Sequence, residues 1–302
     1  MQATKHGPAG ANGARGAAGD APGCIFSVDV EDWFHILDVP AAPRFDQWAG
    51  VPSHVETDFR RLLDLFDEHE ARVTCFFLAW VAERHPDLVR EAAARGHEIA
   101  SHGYAHQLVF QTAAAEFHRD IARARDILEQ ITGTAVLGYR SPGFSCTEDV
   151  PWYFDTLVEA GYVYDSSVFP ARRGHGGMAD AERAPHIVHT ANGGRLIEFP
   201  ISVASVLGRR LCLFGGGYLR LFPSWMIEQG TRQVLNEGRP VIYYVHPREV
   251  NPSHPRIAMS PVRRFKSYVN LDSTEPKVRR ILERFEVTTF ERYIQQHPRL
   301  GA

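Results

Sequence analysis

From Cys24 onward, short β-rich runs alternate with amphipathic helical stretches, and no other feature of the sequence restricts its folding options as much. The first run, Cys24-Ile-Phe-Ser-Val-Asp-Val, is a strand pattern that turns acidic at its C-terminal end. Phe59, Leu62, Leu63 and Phe66 recur at helical spacing within 57–71, and the apolar run 72–78 predicts a buried strand. Pro86 opens a helix that Gly96 closes, the usual asymmetry of Pro at the first turn and Gly past the last. Further strands are expected over 97–101, 135–139, 162–164, 196–201, 241–245 and 286–290. Further helices are expected over 113–132, 150–160, 224–237 and 276–285. Alternation at this spacing lays parallel strands side by side with helices outside them, so a barrel-like α/β domain is expected. Gly215-Gly216-Gly217 lacks the Lys-Ser/Thr of a phosphate loop and reads as a turn.

Composition narrows the setting. The 302 residues are 44% apolar, and no internal repeat or linker divides them. The expected organisation is a tail over 1–23 and a single domain over 24–302, with an extension from about 250. A net charge of −3 gives no reason to expect a nucleic-acid or anionic-membrane partner. No stretch approaches the ~20 apolar residues that span a bilayer. The Ala/Gly-rich start lacks an apolar core of signal-peptide length, so a cytoplasmic protein is expected. Four scattered cysteines without a C-x-x-C pair fit reduced thiols rather than a zinc ribbon or a disulfide scaffold. Fifteen histidines make a metal site worth seeking.

Five polar segments lie at or just past the C-terminal ends of expected strands, where parallel α/β folds build active sites. In Asp29-Val30-Glu31-Asp32, three carboxylates in four residues repel one another unless a cation or shared proton relieves them. On an extended strand Asp29 and Glu31 share a face, and Asp32 can swing round where the strand ends. His102-Gly-Tyr-Ala-His106 would place both imidazoles on one face of a helical turn, and two imidazoles with one carboxylate suit zinc. Arg140-Ser-Pro142-Gly-Phe144 offers a guanidinium that can fork onto a carboxylate. Asp165 ends a strand and could orient a histidine. His246 sits at the tip of the 241–245 strand, a candidate acid or base with an ordinary pKa near neutrality.

In order and placement these segments resemble the motifs of the polysaccharide deacetylases with the NodB-homology fold, carbohydrate esterase family four. The Asp29 segment resembles the acidic first motif and Ser101-His102-x-x-x-His106 the metal-binding second. Arg140-x-Pro142-x-Phe144 resembles the third, Asp165 the fourth and His246 the last. Asp-Val-Glu-Asp-Trp-Phe and Gly-Gly-Gly-Tyr-Leu-Arg are similar to a bacterial subgroup associated with exosortase (PEP-CTERM) exopolysaccharide loci. One departure stands out: Val30 follows Asp29 where the family has a second aspartate, so the metal carboxylate is Glu31 or Asp32.

The resemblance implies a distorted (β/α) barrel with about seven parallel strands. It also implies a zinc-dependent hydrolase that removes N-acetyl groups from the amino sugars of a polysaccharide. His102, His106 and Glu31 or Asp32 would hold the divalent metal. Asp29 would be the general base, Arg140 would hold Asp29 ionised, and His246 would protonate the leaving amine with Asp165 aligning it. Tyr104, Pro142 and Phe144 would shape the acetyl pocket, and Trp33 or Trp225 could stack on sugar rings. The alternatives are hydrolysis of another non-peptide C–N bond, such as a cyclic amide, or a sugar-binding homologue without activity.

Overall fold

Cys24–Val30 forms the expected first strand, β1, and all seven of its residues are buried. The computed structural model describes residues 22–172 and 176–301, so most of the expected tail lies outside the described residues. Next come β2 (Thr74–Phe77), β3 (Glu98–Ser101), β4 (Gly138–Tyr139) and β5 (Tyr164–Asp165). They are followed by β6 (His186–His189), β7 (Arg195–Glu198), β8 (Ala204–Val206) and β9 (Arg209–Leu211). β10 (Val241–Val245) and β11 (Val287–Thr288) complete the strands. Between them run α1 (Val55–Glu68), α2 (Ala79–Arg84), α3 (Pro86–Ala94), α4 (Ala114–Thr132) and α5 (Tyr153–Glu159). The later helices are α6 (Gly216–Leu221), α7 (Ser224–Asn236), α8 (Pro261–Tyr268), α9 (Thr274–Arg284), α10 (Phe290–Gln296) and α11 (Pro298–Gly301).

The main sheet runs β10-β1-β2-β3-β4-β5-β7-β6. Every pairing from β10 through β7 is parallel, which makes the expected row of seven parallel strands. β6 adds an antiparallel edge on β7, and the two ends of the row do not pair, so the curled sheet is a half-barrel. β11 pairs with β1 from Cys24, so the chain beyond 250 returns to the second strand of the row.

Side-chain alternation gives β1 two different faces. Phe26, Val28 and Val30 join the larger apolar cluster, where Phe26 meets Phe66 of α1 with ring centroids 5.4 Å apart. Ile25 joins the second cluster, with Phe76, Tyr164, Tyr244 and Phe290. Ser27 and Asp29 follow Ile25 at every second residue and share its face, so polar groups enter the interior of the curl.

Helix and strand bounds fall within a few residues of expectation, and 241–245 is matched at both ends. Two readings change, and one further helix is added. His102–His106 is not helical. Gly216 and Gly217 open α6 rather than forming a turn. The long segment 248–270 contains α8, a short helix that leaves Val262 and Phe265 exposed. The glycines there permit close approach: a Cβ on Gly215 would lie 2.2 Å from the Tyr244 ring, and one on Gly217 2.7 Å from the Lys266 carbonyl. No helix among the described residues is long and apolar enough to cross a membrane. All four cysteines are buried and unbridged.

Candidate active site

β1 delivers the acidic groups. Asp29, Glu31 and Asp32 are all about 2% exposed, but the chain turns after Val30 and sends them three ways. Asp29 Oδ1 accepts from the Arg140 guanidinium at 2.7 Å. The same nitrogen donates to Ser27 Oγ at 2.8 Å, and the remaining Arg140 donors reach Ser166 O and Ser166 Oγ, each at 3.2 Å. Arg140 is fully buried and lies 4.1 Å above the Phe76 ring, so it clamps Asp29 through one nitrogen instead of the expected fork. Glu31 points to the histidines. Asp32 does not: its carboxylate accepts from Trp33 N–H at 2.8 Å, from His54 N–H at 3.1 Å and from the Ser53 hydroxyl. Those bonds commit Asp32 to the turn that leads into α1, so of the two candidate metal carboxylates Glu31 joins the cluster and Asp32 is set aside.

His102 and His106 leave the end of β3 in a loop, not on the helical turn that their spacing suggested. Gly103 takes a left-handed φ of +75°, which a helix excludes. Asp120 on α4 then accepts the Tyr104 and Ala105 N–H groups at 2.8 and 3.0 Å, capturing donors that a helix would satisfy itself. His106 also sits at positive φ, +52°, a conformation that a non-glycine residue keeps only where its surroundings enforce it.

The loop nevertheless brings both rings to Glu31. The candidate ligand atoms of Glu31, His102 and His106 all lie within 4.8 Å of one another, and all three residues are buried. His106 Nε2 is 2.6 Å from Glu31 Oε2. His102 Nδ1–H donates to the Arg140 carbonyl at 2.8 Å, which fixes the tautomer and leaves Nε2 with a lone pair. Burial pushes the His102 pKa down to about 4, so the ring is neutral at ordinary pH. Burial alone would raise Glu31, but the neighbouring His106, His246 and Arg248 overcome it and hold the carboxyl far below its usual range. Two imidazoles and a carboxylate gathered at one buried point are a donor set that fits a divalent ion.

On the opposite side, β10 ends at His246, whose Nε2 is 3.8 Å from both Asp29 Oδ2 and Glu31 Oε1. Its Nδ1 does not meet Asp165. It meets Glu249 Oε1 at 2.5 Å, and the other oxygen of Glu249 pairs with the buried Arg220. Burial would lower the His246 pKa, but the Glu249 bond and the Glu31 charge outweigh it and raise it. Arg248 NH2 lies 3.5 Å from Glu31 Oε1. His35, whose Nδ1 accepts from the Asp32 N–H at 2.9 Å, packs with its ring centroid 5.9 Å from that of His106.

Asp165 is engaged elsewhere. Its two oxygens accept from the Tyr153 hydroxyl at 3.1 Å each and one accepts from Ser167 Oγ at 2.6 Å, and Glu198 lies against it. The candidate acetyl-pocket residues are placed unevenly. The Tyr104 hydroxyl turns away to Glu83, at 2.9 Å, under the Arg123 guanidinium. Pro142 and Phe144 are buried beside Arg140, with Phe144 against the Tyr244 ring at 4.9 Å. Trp33 is half-buried and bonded to Pro52 O, and Trp225 is 63% exposed on α7. Residues that the sequence reading missed are Glu249, Arg220, Arg248, Asp120 and His35. The Pro-Arg-Glu that directly follows His246 was the visible signal for two of them.

The Asp165–Glu198 pair has a measurable consequence. Burial pushes Asp165 up to about 6, and burial with the Asp165 charge pushes Glu198 well above its usual range. The folded chain therefore holds a proton that the unfolded chain releases near pH ~4, and this favours folding at low pH. That stabilisation is lost as pH rises through about 6. Glu198→Gln replaces the shared proton with a permanent N–H donor. Its melting temperature is expected to decline less than the wild type's between pH ~5 and ~8. Parallel declines would remove the pair as the cause.

Residues 44–164 match the family model for polysaccharide deacetylase, and residues 166–295 match a domain of unknown function (DUF3473). A peptidoglycan-N-acetylglucosamine deacetylase of Bacillus cereus is 30% identical over 118 residues, 35% of this chain and 43% of that protein. A peptidoglycan deacetylase of Helicobacter pylori is 25% identical over 113 residues, covering 37% and 38%. The chain thus spans less than half the length of these curated relatives. Among solved structures, a Mycobacterium smegmatis chain carrying the name polysaccharide deacetylase superposes with a TM-score of 0.64 at 19% identity, over 98% and 96% of the two chains. An allantoinase superposes with a TM-score of 0.60 at 17% identity, over 93% and 91%. At these identities the likeness is one of fold.

Proposed function

We propose that this chain, which matches the polysaccharide deacetylase family model over residues 44–164, is a metal-dependent hydrolase that removes acetyl groups from N-acetylated amino sugars of a polysaccharide. The observation that carries the reading is convergence. Glu31, His102 and His106 meet at one buried point, with Asp29 on its Arg140 clamp and His246 on the facing side. The relatives named above support the substrate class. The resemblance of the Asp-Val-Glu-Asp-Trp-Phe segment to the exopolysaccharide-associated subgroup supports an exopolysaccharide as the polymer.

In this reading Glu31, His102 and His106 hold a divalent ion, zinc by the chemistry of its donors, which supplies Lewis acidity toward water and the acetamide carbonyl. The protein's own groups do the rest. Asp29 takes the proton from the attacking water, and the Arg140 clamp on its other oxygen holds the carboxylate in place. His246, its Nε2 turned to the site, delivers a proton to the nitrogen of the departing amino sugar. The Arg140 carbonyl orients His102, so one residue positions both the base and a metal ligand.

The deciding assay is acetate release from defined N-acetylated chitooligosaccharides, with and without a chelator. Release that stops on chelation and returns with zinc is the expected result. Ammonia or an opened ring from cyclic amides, with no acetate from any N-acetylated sugar, would replace this reading with the allantoinase-like alternative.

A further inference from the structure

Resting on that reading, we infer that Arg220 and Glu249, both in the 166–295 segment of unassigned function, are the positioning pair of the catalytic acid His246. Neither residue touches Asp29 or the metal cluster, and Asp165, the residue expected for this task, is bound to Tyr153 and Ser167.

Three observations carry the inference. His246 begins a tight 3-10 turn, Pro247–Val250, in which the Glu249 N–H donates to the His246 carbonyl at 2.9 Å. That turn folds the Glu249 carboxylate back onto Nδ1 of the same histidine, at 2.5 Å. A carboxylate only accepts, so Nδ1 carries the hydrogen and Nε2 is the nitrogen turned toward Asp29 and Glu31.

The other carboxylate oxygen is held by the Arg220 guanidinium, and Arg220 is itself immobilised. Its Nε donates to the Val269 carbonyl at 3.0 Å, and its NH2 donates to the Lys266 and Ser267 carbonyls at 3.1 and 3.0 Å. These three carbonyls belong to the end of α8 and the residue after it. Arg220 is 3% exposed and Glu249 2%, so the pair is a rigid strut from the α6–α8 layer to the ring. Gly217 permits that layer to close, because a Cβ there would collide with the Lys266 carbonyl. The polar segments that carry the metal and the base come from the first half of the chain. The strut gives the second half its share of the same reaction, the orientation of the proton donor.

A buried ion pair could also serve stability alone, and the test separates the two roles. An amide needs its leaving nitrogen protonated, whereas the phenolate leaving from 4-nitrophenyl acetate does not. Glu249→Gln is expected to lower kcat on N-acetylated chitooligosaccharides by about 10²-fold, with KM and zinc content little changed. The ester rate is expected to fall by only about threefold or less. Glu249→Asp and Arg220→Lys should lie between the wild type and Glu249→Gln on the amide. In the metal-free protein, nitrogen NMR of the histidine rings, with the His246 signal assigned through His246→Asn, should lose the Nδ1–H form of that ring in Glu249→Gln. Equal losses on amide and ester, or an unaltered His246 ring, would overturn the inference. A wild type that releases no acetate from any sugar would instead overturn the deacetylase reading, and the ring signal would still report on the strut.

Discussion

Asn in place of Asp29 is expected to lower kcat on N-acetylated oligosaccharides by about 10²–10⁴-fold, or about 3–5 kcal/mol of activation free energy. The substitution preserves shape and leaves an oxygen near Arg140, but it removes the charge that takes a proton from water. Zinc content should equal that of the wild type, because Asp29 is outside the Glu31, His102, His106 group. Stability will change as well, since Arg140 is fully buried and loses its anionic partner. Orphaning one member of a buried pair costs about 3–5 kcal/mol, so the assay belongs well below the variant's own melting temperature. Substantial residual turnover by folded, zinc-loaded Asp29→Asn would remove Asp29 as the base.

The second large effect concerns the metal. His102→Ala is expected to empty the site at zinc concentrations that saturate the wild type, and to abolish acetate release. Even residues that merely orient metal ligands typically change affinity by about 10–100-fold, and a direct ligand should cost more. The fold should survive, because the Arg140 carbonyl left behind can accept from a water that fills the vacated space. Elemental analysis after dialysis reads the outcome, and unchanged zinc would contradict the ligand assignment. In the wild type, zinc should persist through mild acid and be lost only in stronger acid, because burial keeps the His102 ring unprotonated down to about 4.

Much of this was legible in the sequence for an identifiable reason. Parallel strands buried on both faces are written as unbroken apolar runs, and Val241–Val245 could be read to the residue. Of the polar residues at their tips, Asp29, Glu31, His102, His106, Arg140 and His246 come together, whereas Asp32 and Asp165 are held elsewhere. What could not be read depends on partners distant in sequence. The His102–His106 spacing suggests a helix, but Gly103 at left-handed φ and Asp120, stapling the loop from α4, make it something else. Position along the strand favours Glu31 over Asp32 only slightly, and Ser53 with the His54 N–H takes Asp32 away from the histidines. The partner of His246 was three residues away in Glu249, yet a short turn that folds back on itself leaves no periodic signature. Gly216–Gly217 escaped notice because glycine is read as a break where here it permits contact with Lys266.

The placement of β1 has a consequence for how the protein is made. Cys24 pairs with Val241 and with Val287, so the first strand described cannot complete its hydrogen bonds until nearly the whole chain exists. At ~5–20 residues per second of synthesis, the wait is roughly ten to fifty seconds, during which an apolar strand has an open edge. Contacts so distant along the chain also slow refolding from denaturant. Slow maturation, a need for chaperones and better yield at low growth temperature are the expected signature of a molecule whose β1 strand is begun early and finished late.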